Sequence, residues 1–225
     1  MCSHILRRSF TGNELNDAAA IDTIPNEVLQ EVKANKSDYI FRFKFGLPAR
    51  LYLLQQAFPK KYEAIIKHFK AVFPEYPDIR ITVQKTGSHV TPALLFREKN
   101  VHPNLGLHDL SSGIKKVLLI ITDVISMTGD SIYLLDEYEN SLGLNAIDFL
   151  PSFLNECGHD NQFVVTTHHP YLINNMPTEN WKIFHREGSK VSIKCGAEMS
   201  EKYKHSKQDA FIQLINDPFY SEGAS

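Results

Sequence analysis

Apolar positions recur along this chain at two periods, and the switches between them mark its elements. In KKYEAIIKHFKAVF (60–73), Tyr62, Ile65, Ile66, Phe69 and Val72 form one stripe at helical spacing. LPARLYLLQQAF (47–58) reads as a second helix, divided from the first by Pro59. Pro74 and Pro77 end the pair. IRITVQ (79–84) and ALLFRE (93–98) are strand candidates, joined by a polar stretch containing Gly87 into an antiparallel hairpin. The pattern then changes. SSGIKKVLLIITDVISM (111–127) predicts a long, mostly buried helix opened by a serine cap. SIYLLD is a short buried strand, and NAIDFLPSFLNEC (145–157) a helix in which Pro151 either kinks the chain or occupies the first turn. QFVVTT (162–167) is another buried strand. WKIFHRE and KVSIKC form a hairpin around Gly188, and SKQDAFIQLIND (206–217) closes with a helix.

Helix, buried strand, helix, buried strand is the rhythm of a parallel α/β sheet. Residues 1–37 are polar and mixed and read as loop and short helix, a poorly defined N-terminal segment ahead of a domain at 38–225. The 225 residues suit one sizeable domain, and 43% hydrophobic content builds a core without staples. A net charge of −2 gives no global basic field for nucleic acid or anionic membrane. Cys2, Cys157 and Cys195 are scattered and odd in number, which reads as reduced thiols and a cytoplasmic setting. The longest apolar run, VLLII (117–121), is far short of a membrane span, and MCSHILRRSF lacks the apolar core of a signal peptide. No membrane partner is expected.

The chemistry collects at strand ends, where open α/β sheets bind ligands. One strand ends in Asp136 and Glu137, with Glu139 two positions on; the other ends in Thr166, Thr167, His168 and His169. A carboxylate at a strand tip holds Mg²⁺, usually through water. A second carboxylate orients or deprotonates an attacking water, and a histidine facing them bonds a phosphate. Taken alone, LLDE serves equally as a strand entering a solvated turn, and THH as a capped turn. Cys157, His159, His168 and His169 fit no standard zinc spacing. A third element tips the balance. LHDLSSGIKK (107–116) opens a helix with hydroxyls and backbone N–H groups at its positive end, an anion-binding device as well as an N-cap.

In this order the three segments resemble the C-terminal half of an ABC-type ATPase head, in the branch of RecF-, SMC- and OLD-like AAA-family proteins. LSSGIKKVLLI resembles the signature motif, SIYLLDEYENSL the Walker B strand and its acidic turn, and FVVTTHHPYLI the switch-histidine strand. The resemblance implies a P-loop NTPase-like α/β fold: a partial parallel sheet with flanking helices and a small antiparallel hairpin. It implies ATP and Mg²⁺ as cofactors. Asp136 would hold the Mg²⁺ shell, Glu137 would be the catalytic base, and His168 would contact the γ-phosphate. Ser111, Ser112 and Gly113 would reach the γ-phosphate of a nucleotide bound mainly by the opposite subunit, so a homo- or hetero-oligomer is implied. Where related sequences often carry His-Pro, this one has Gly143 and Leu144.

No glycine of the sequence opens the G-x-x-x-x-G-K-[ST] phosphate loop such an ATPase needs; FGLPAR and TGSHVT do not qualify. Hydrogen bonds to charged groups contribute about 1.5–3 kcal/mol each. Three missing bonds therefore cost roughly 4.5–9 kcal/mol, about three to six decades in affinity. The chain alone is expected to bind ATP poorly and to need a Walker A segment from elsewhere, either the rest of a larger ATPase of which it is a fragment or another polypeptide of a split enzyme. The alternative is a non-hydrolysing scaffold or regulatory module with a degenerate ATPase fold; a third reading is a metal-dependent hydrolase using Asp136, Glu137, His168 and His169 directly. Lys60, Lys61, Lys67 and Lys70 form either a basic face for nucleic acid or a solvated helix surface. Thr122 and Asp123 interrupt the apolar helix without an assigned role.

Overall fold

A computed structural model of the protein describes residues 4–8, 18–157, 160–198, 212 and 214–221. The chain divides into two compact units, Met1–Thr166 and Thr167–Ser225.

The first unit opens with β1 (His4–Arg8), a strand where the sequence suggested loop. HILRR has no alternation to announce it. The segment becomes a strand because it pairs in parallel with β6 along its whole length, from His4 opposite Ser131 to Arg8 opposite Leu135. Next come β2 (Ile24–Pro25), α1 (Asn26–Ala34) and a 3₁₀ turn at Ser37–Arg42. Helices α2 (Leu47–Ala57) and α3 (Pro59–Val72) follow the expected bounds closely, each with a proline in its first turn, where the missing N–H has no intrahelical partner to lose. Strands β3 (Asp78–Thr86) and β4 (His89–Arg97) form the predicted antiparallel hairpin, turned at Gly87 with φ +58°. Strand β2 and the short β5 (Leu105–Gly106) also pair with β4.

Helix α4 (Ser112–Ser126) is the centre of the unit, buried at Gly113 and continuously from Lys116 to Val124. It packs against α3 and against α5 (Leu144–Cys157). Pro151 lies inside α5 rather than in its first turn. Strands β6 (Ser131–Leu135) and β7 (Asn161–Val165) complete a parallel sheet in the order β1-β6-β7.

The two faces of this sheet differ. On one, Tyr133 and Leu135 are fully buried, and Tyr133 reaches α4. Side chains alternate along strands, so Ile5, Ile132, Leu134 and Val164 point the other way. There Ile5 is 66% and Val164 45% exposed, while Ile132 and Leu134 are half-buried. Parallel sheets are normally covered on both faces; among the described residues, Ile5 and Val164 leave part of this face exposed.

The second unit contains α6 (Pro170–Asn175) and an antiparallel hairpin of β8 (Lys182–Glu187) and β9 (Lys190–Cys195), turned at Gly188 as the sequence suggested. Its small core is Ile173, Ile183 and Leu214, with Trp181, Phe219 and Tyr220 packed against them. A last short helix, α7, spans Pro218–Ser221. The closing helix predicted over 206–217 lies largely outside the described residues.

Candidate functional site

Strand β6 delivers Asp136 and Glu137, and the strand beside it holds them there. Thr166, just past the end of β7, bonds four consecutive residues. Its N–H donates to Leu135 O (2.8 Å), and its carbonyl accepts from the N–H of Tyr138 (3.2 Å). Its Oγ1 donates to Asp136 Oδ1 (2.6 Å) and accepts from the N–H of Glu137 (2.9 Å). On the opposite side, the N–H of Asp136 donates to Arg8 O at the end of β1 (2.8 Å). The chain then turns sharply: Glu137 has φ +47°, a left-handed conformation that side chains other than glycine rarely adopt. Asp136 is half-buried and Glu137 exposed. Asn140 Nδ2 donates to Glu137 Oε2 (3.3 Å) across the turn.

The start of α4 forms the neighbouring wall. Ser111 Oγ accepts from the N–H of Ile114 (3.4 Å), the cap anticipated from the sequence. Ser111 and Ser112 are exposed, while Gly113 is buried beneath the acidic turn. A Cβ at Gly113 would collide with the carbonyl of Ser141, so only glycine allows the helix to approach this closely. One turn further on, the fully buried Lys116 donates from Nζ to Glu137 O (3.0 Å) and Asn140 O (2.9 Å). Burial pushes its ammonium down from 10.5 to about 8, although Glu139 and Glu137 pull the other way. The serine-rich helix start and the acidic turn are thus fastened together by a close backbone approach and a two-pronged lysine.

Behind this, Asp123 is fully buried and accepts from four donors on three other elements. Arg8 Nε and Nη2 lie at 2.8 and 3.2 Å, Arg50 Nη1 at 3.0 Å and Tyr133 Oη at 2.9 Å. Burial pushes the Arg50 guanidinium down and the Tyr133 phenol up, with Asp123 stabilising the protonated form of each. This residue, without a role in the sequence reading, joins α4 to β1, α2 and β6. Lys116 and Asp123 are seven residues apart and so share a face of a helix that is apolar nearly all round; two such charges signal buried partners, and that signal was readable.

The remaining site candidates fall in the second unit. His168 is exposed there. His169 caps α6: its Nδ1 accepts from the N–H of Tyr171 (3.2 Å), and its own N–H donates to Thr167 Oγ1 (3.1 Å). Among the described residues, no three His, Cys, Asp or Glu side chains gather as a metal cage. A half-buried carboxylate with a hydroxyl on one oxygen suits Mg²⁺, which keeps several waters and binds through one or two carboxylates plus substrate phosphates.

A family model described as "AAA domain, putative AbiEii toxin, Type IV TA system" matches residues 3–174. No curated protein matches the chain. Among solved structures, the Smc head domain with a coiled coil and joint from Pyrococcus yayanosii shares 13% identity at a TM-score of 0.51, over 69% of this chain and 31% of that one. A chain from a study of ATP-driven dimerization and DNA-stimulated activation of SMC ATPases shares 14% identity at a TM-score of 0.45, over 68% of this chain and 98% of that one. The likeness to the Smc head is one of fold, the P-loop NTPase-like α/β architecture expected from the motifs.

Proposed function

This chain belongs to the AAA-domain family just described, and from that footing we propose that it is the Walker B and signature half of an ABC-like ATPase, completed by a phosphate loop from outside residues 1–225. One observation carries the reading: Lys116 and Gly113 fasten the exposed serines of α4 to the turn bearing Glu137. A helix N-terminus suited to phosphate and a general-base carboxylate therefore move as one body.

In this reading Asp136 would hold Mg²⁺, largely through water, and the ion would supply charge neutralisation to the nucleotide phosphates. The carboxylate of Glu137 accepts a proton from the attacking water as oxygen bonds the γ-phosphorus and ADP leaves. Ser111, Ser112 and the N–H groups at the start of α4 face the γ-phosphate of nucleotide held by the opposite subunit, so hydrolysis requires an oligomer. His168 is the proposed contact to the γ-phosphate. Nucleic acid is a candidate physical substrate, and the toxin description of the family fits a defence-related task.

The exposed apolar residues Ile5 and Val164 support a further phosphate-loop unit packed on this sheet face. A phosphate loop comes as a strand–loop–helix unit, and a helix laid over Ile5, Ile132, Leu134 and Val164 would give the parallel sheet its second cover.

The experiment is to measure ATP binding and hydrolysis by the chain alone, then joined to or mixed with a strand–loop–helix segment carrying G-x-x-x-x-G-K-[ST]. Hydrolysis is expected only with that segment present. Glu137→Gln should abolish it while nucleotide binding persists in a trapped complex. Hydrolysis at the wild-type rate by Glu137→Gln rejects the assignment. An unchanged, inactive mixture with either residue favours the non-hydrolysing module.

A further inference from the structure

We propose that Thr166 is a positioning residue that presets the acidic tip for a divalent cation. The inference rests on the reading of Asp136 as the Mg²⁺ carboxylate. Thr166 is the one residue among those described that touches both the side chain of Asp136 and the backbone of Glu137 through a single atom, Oγ1. The geometry assigns each part of the hydroxyl. Its proton goes to Asp136 Oδ1 at 2.6 Å, which fixes the carboxylate's rotation. Its lone pair receives the N–H of Glu137 at 2.9 Å, which holds that residue in its left-handed conformation. Thr166 is exposed, so burial does not account for a polar side chain that is doubly committed. An exposed hydroxyl is normally free to turn to water; this one is spent on the two acidic residues.

Partners that orient a metal-binding carboxylate typically change metal affinity about 10–100-fold when removed. Valine keeps the branched shape of threonine and deletes both bonds. Serine keeps the hydroxyl and deletes the methyl. The backbone bonds of Thr166 to Leu135 and Tyr138 survive either change, so the strand pairing is retained.

The test uses the full chain and Mn²⁺ alone as the probe, followed by water-proton relaxation, with thermal unfolding measured alongside. Asp136→Asn should remove the specific Mn²⁺ site. Thr166→Val should weaken it at least about tenfold with little change in unfolding temperature, and Thr166→Ser should bind close to wild type. Hydrogen exchange at the Glu137 amide should quicken in Thr166→Val and stay slow in Thr166→Ser. Mn²⁺ binding by Thr166→Val at wild-type strength overturns the proposal while leaving Asp136 in place. Equal losses in the valine and serine variants, with lowered unfolding temperature, show a purely structural threonine and also overturn it. If Asp136→Asn binds Mn²⁺ like wild type, the metal reading of Asp136 fails, and this inference fails with it.

Discussion

Lys116 Nζ lies 3.0 Å from the main-chain oxygen of Glu137, so the helix that begins with the exposed serines grips the backbone of the proposed base. This lysine has a pH signature. Burial lowers its folded value from 10.5 to about 8, so between those limits the unfolded chain binds more protons than the folded one. Stability from this group therefore rises with pH across that window and is lost as pH falls through about 8. Lys116→Met should remove the rise, so wild type should gain stability relative to the variant on going from neutral to alkaline pH. Denaturant midpoints measured as a function of pH test this; parallel curves for the two proteins reject it.

Asp123 is a carboxylate bonded to both Arg8 and Arg50. Removing one partner of a buried ion pair strands the other, at about 3–5 kcal/mol. Asp123→Ala should lose about that much, because it strands two guanidinium groups and the Tyr133 hydroxyl together. Arg50→Met should cost less, since Arg8 still neutralises the carboxylate. Urea unfolding of both variants gives the order directly; a milder effect for Asp123→Ala contradicts the arrangement.

Gly113→Ala places a methyl against the Ser141 carbonyl, a backbone atom that cannot swing away. Overpacking of this kind costs about 1–3 kcal/mol. The strain should surface where helix and turn meet, as faster hydrogen exchange over residues 137–142 with β3 and β4 unaffected. Gly143→Ala is the control, because a Cβ there meets nothing within 4 Å. Similar behaviour of the two variants counts against the close packing of α4 on the turn.

The sequence made legible what depends on local period and order. Helices α2 to α5, strands β6 and β7 and both hairpins lie close to their predicted bounds, because each carries its own apolar pattern and proline or glycine punctuation. The tip carboxylates and the serine cap were readable for the same reason. What escaped was fixed by distant partners. HILRR is a strand only through β6, and its Arg8 has meaning only beside Asp123. Thr166 stood in plain view in VVTTHH, but which of two adjacent threonines turns toward Asp136 depends on strand register. Lys115 and Lys116 stand side by side in the sequence; a shift of one residue around the helix puts the first half in solvent and buries the second.

The bond between Arg8 and Asp123 closes a span of 115 residues. On the ribosome, the first strand emerges long before either its pairing partner or its counter-charge exists. A nascent chain stopped anywhere short of Asp123 carries Arg8 and Arg50 without the carboxylate that lets them enter the interior. Such a span makes early, piecemeal folding unfavourable. The parallel sheet of the first unit is therefore completed only once β6 has been made, after the counter-charge on α4.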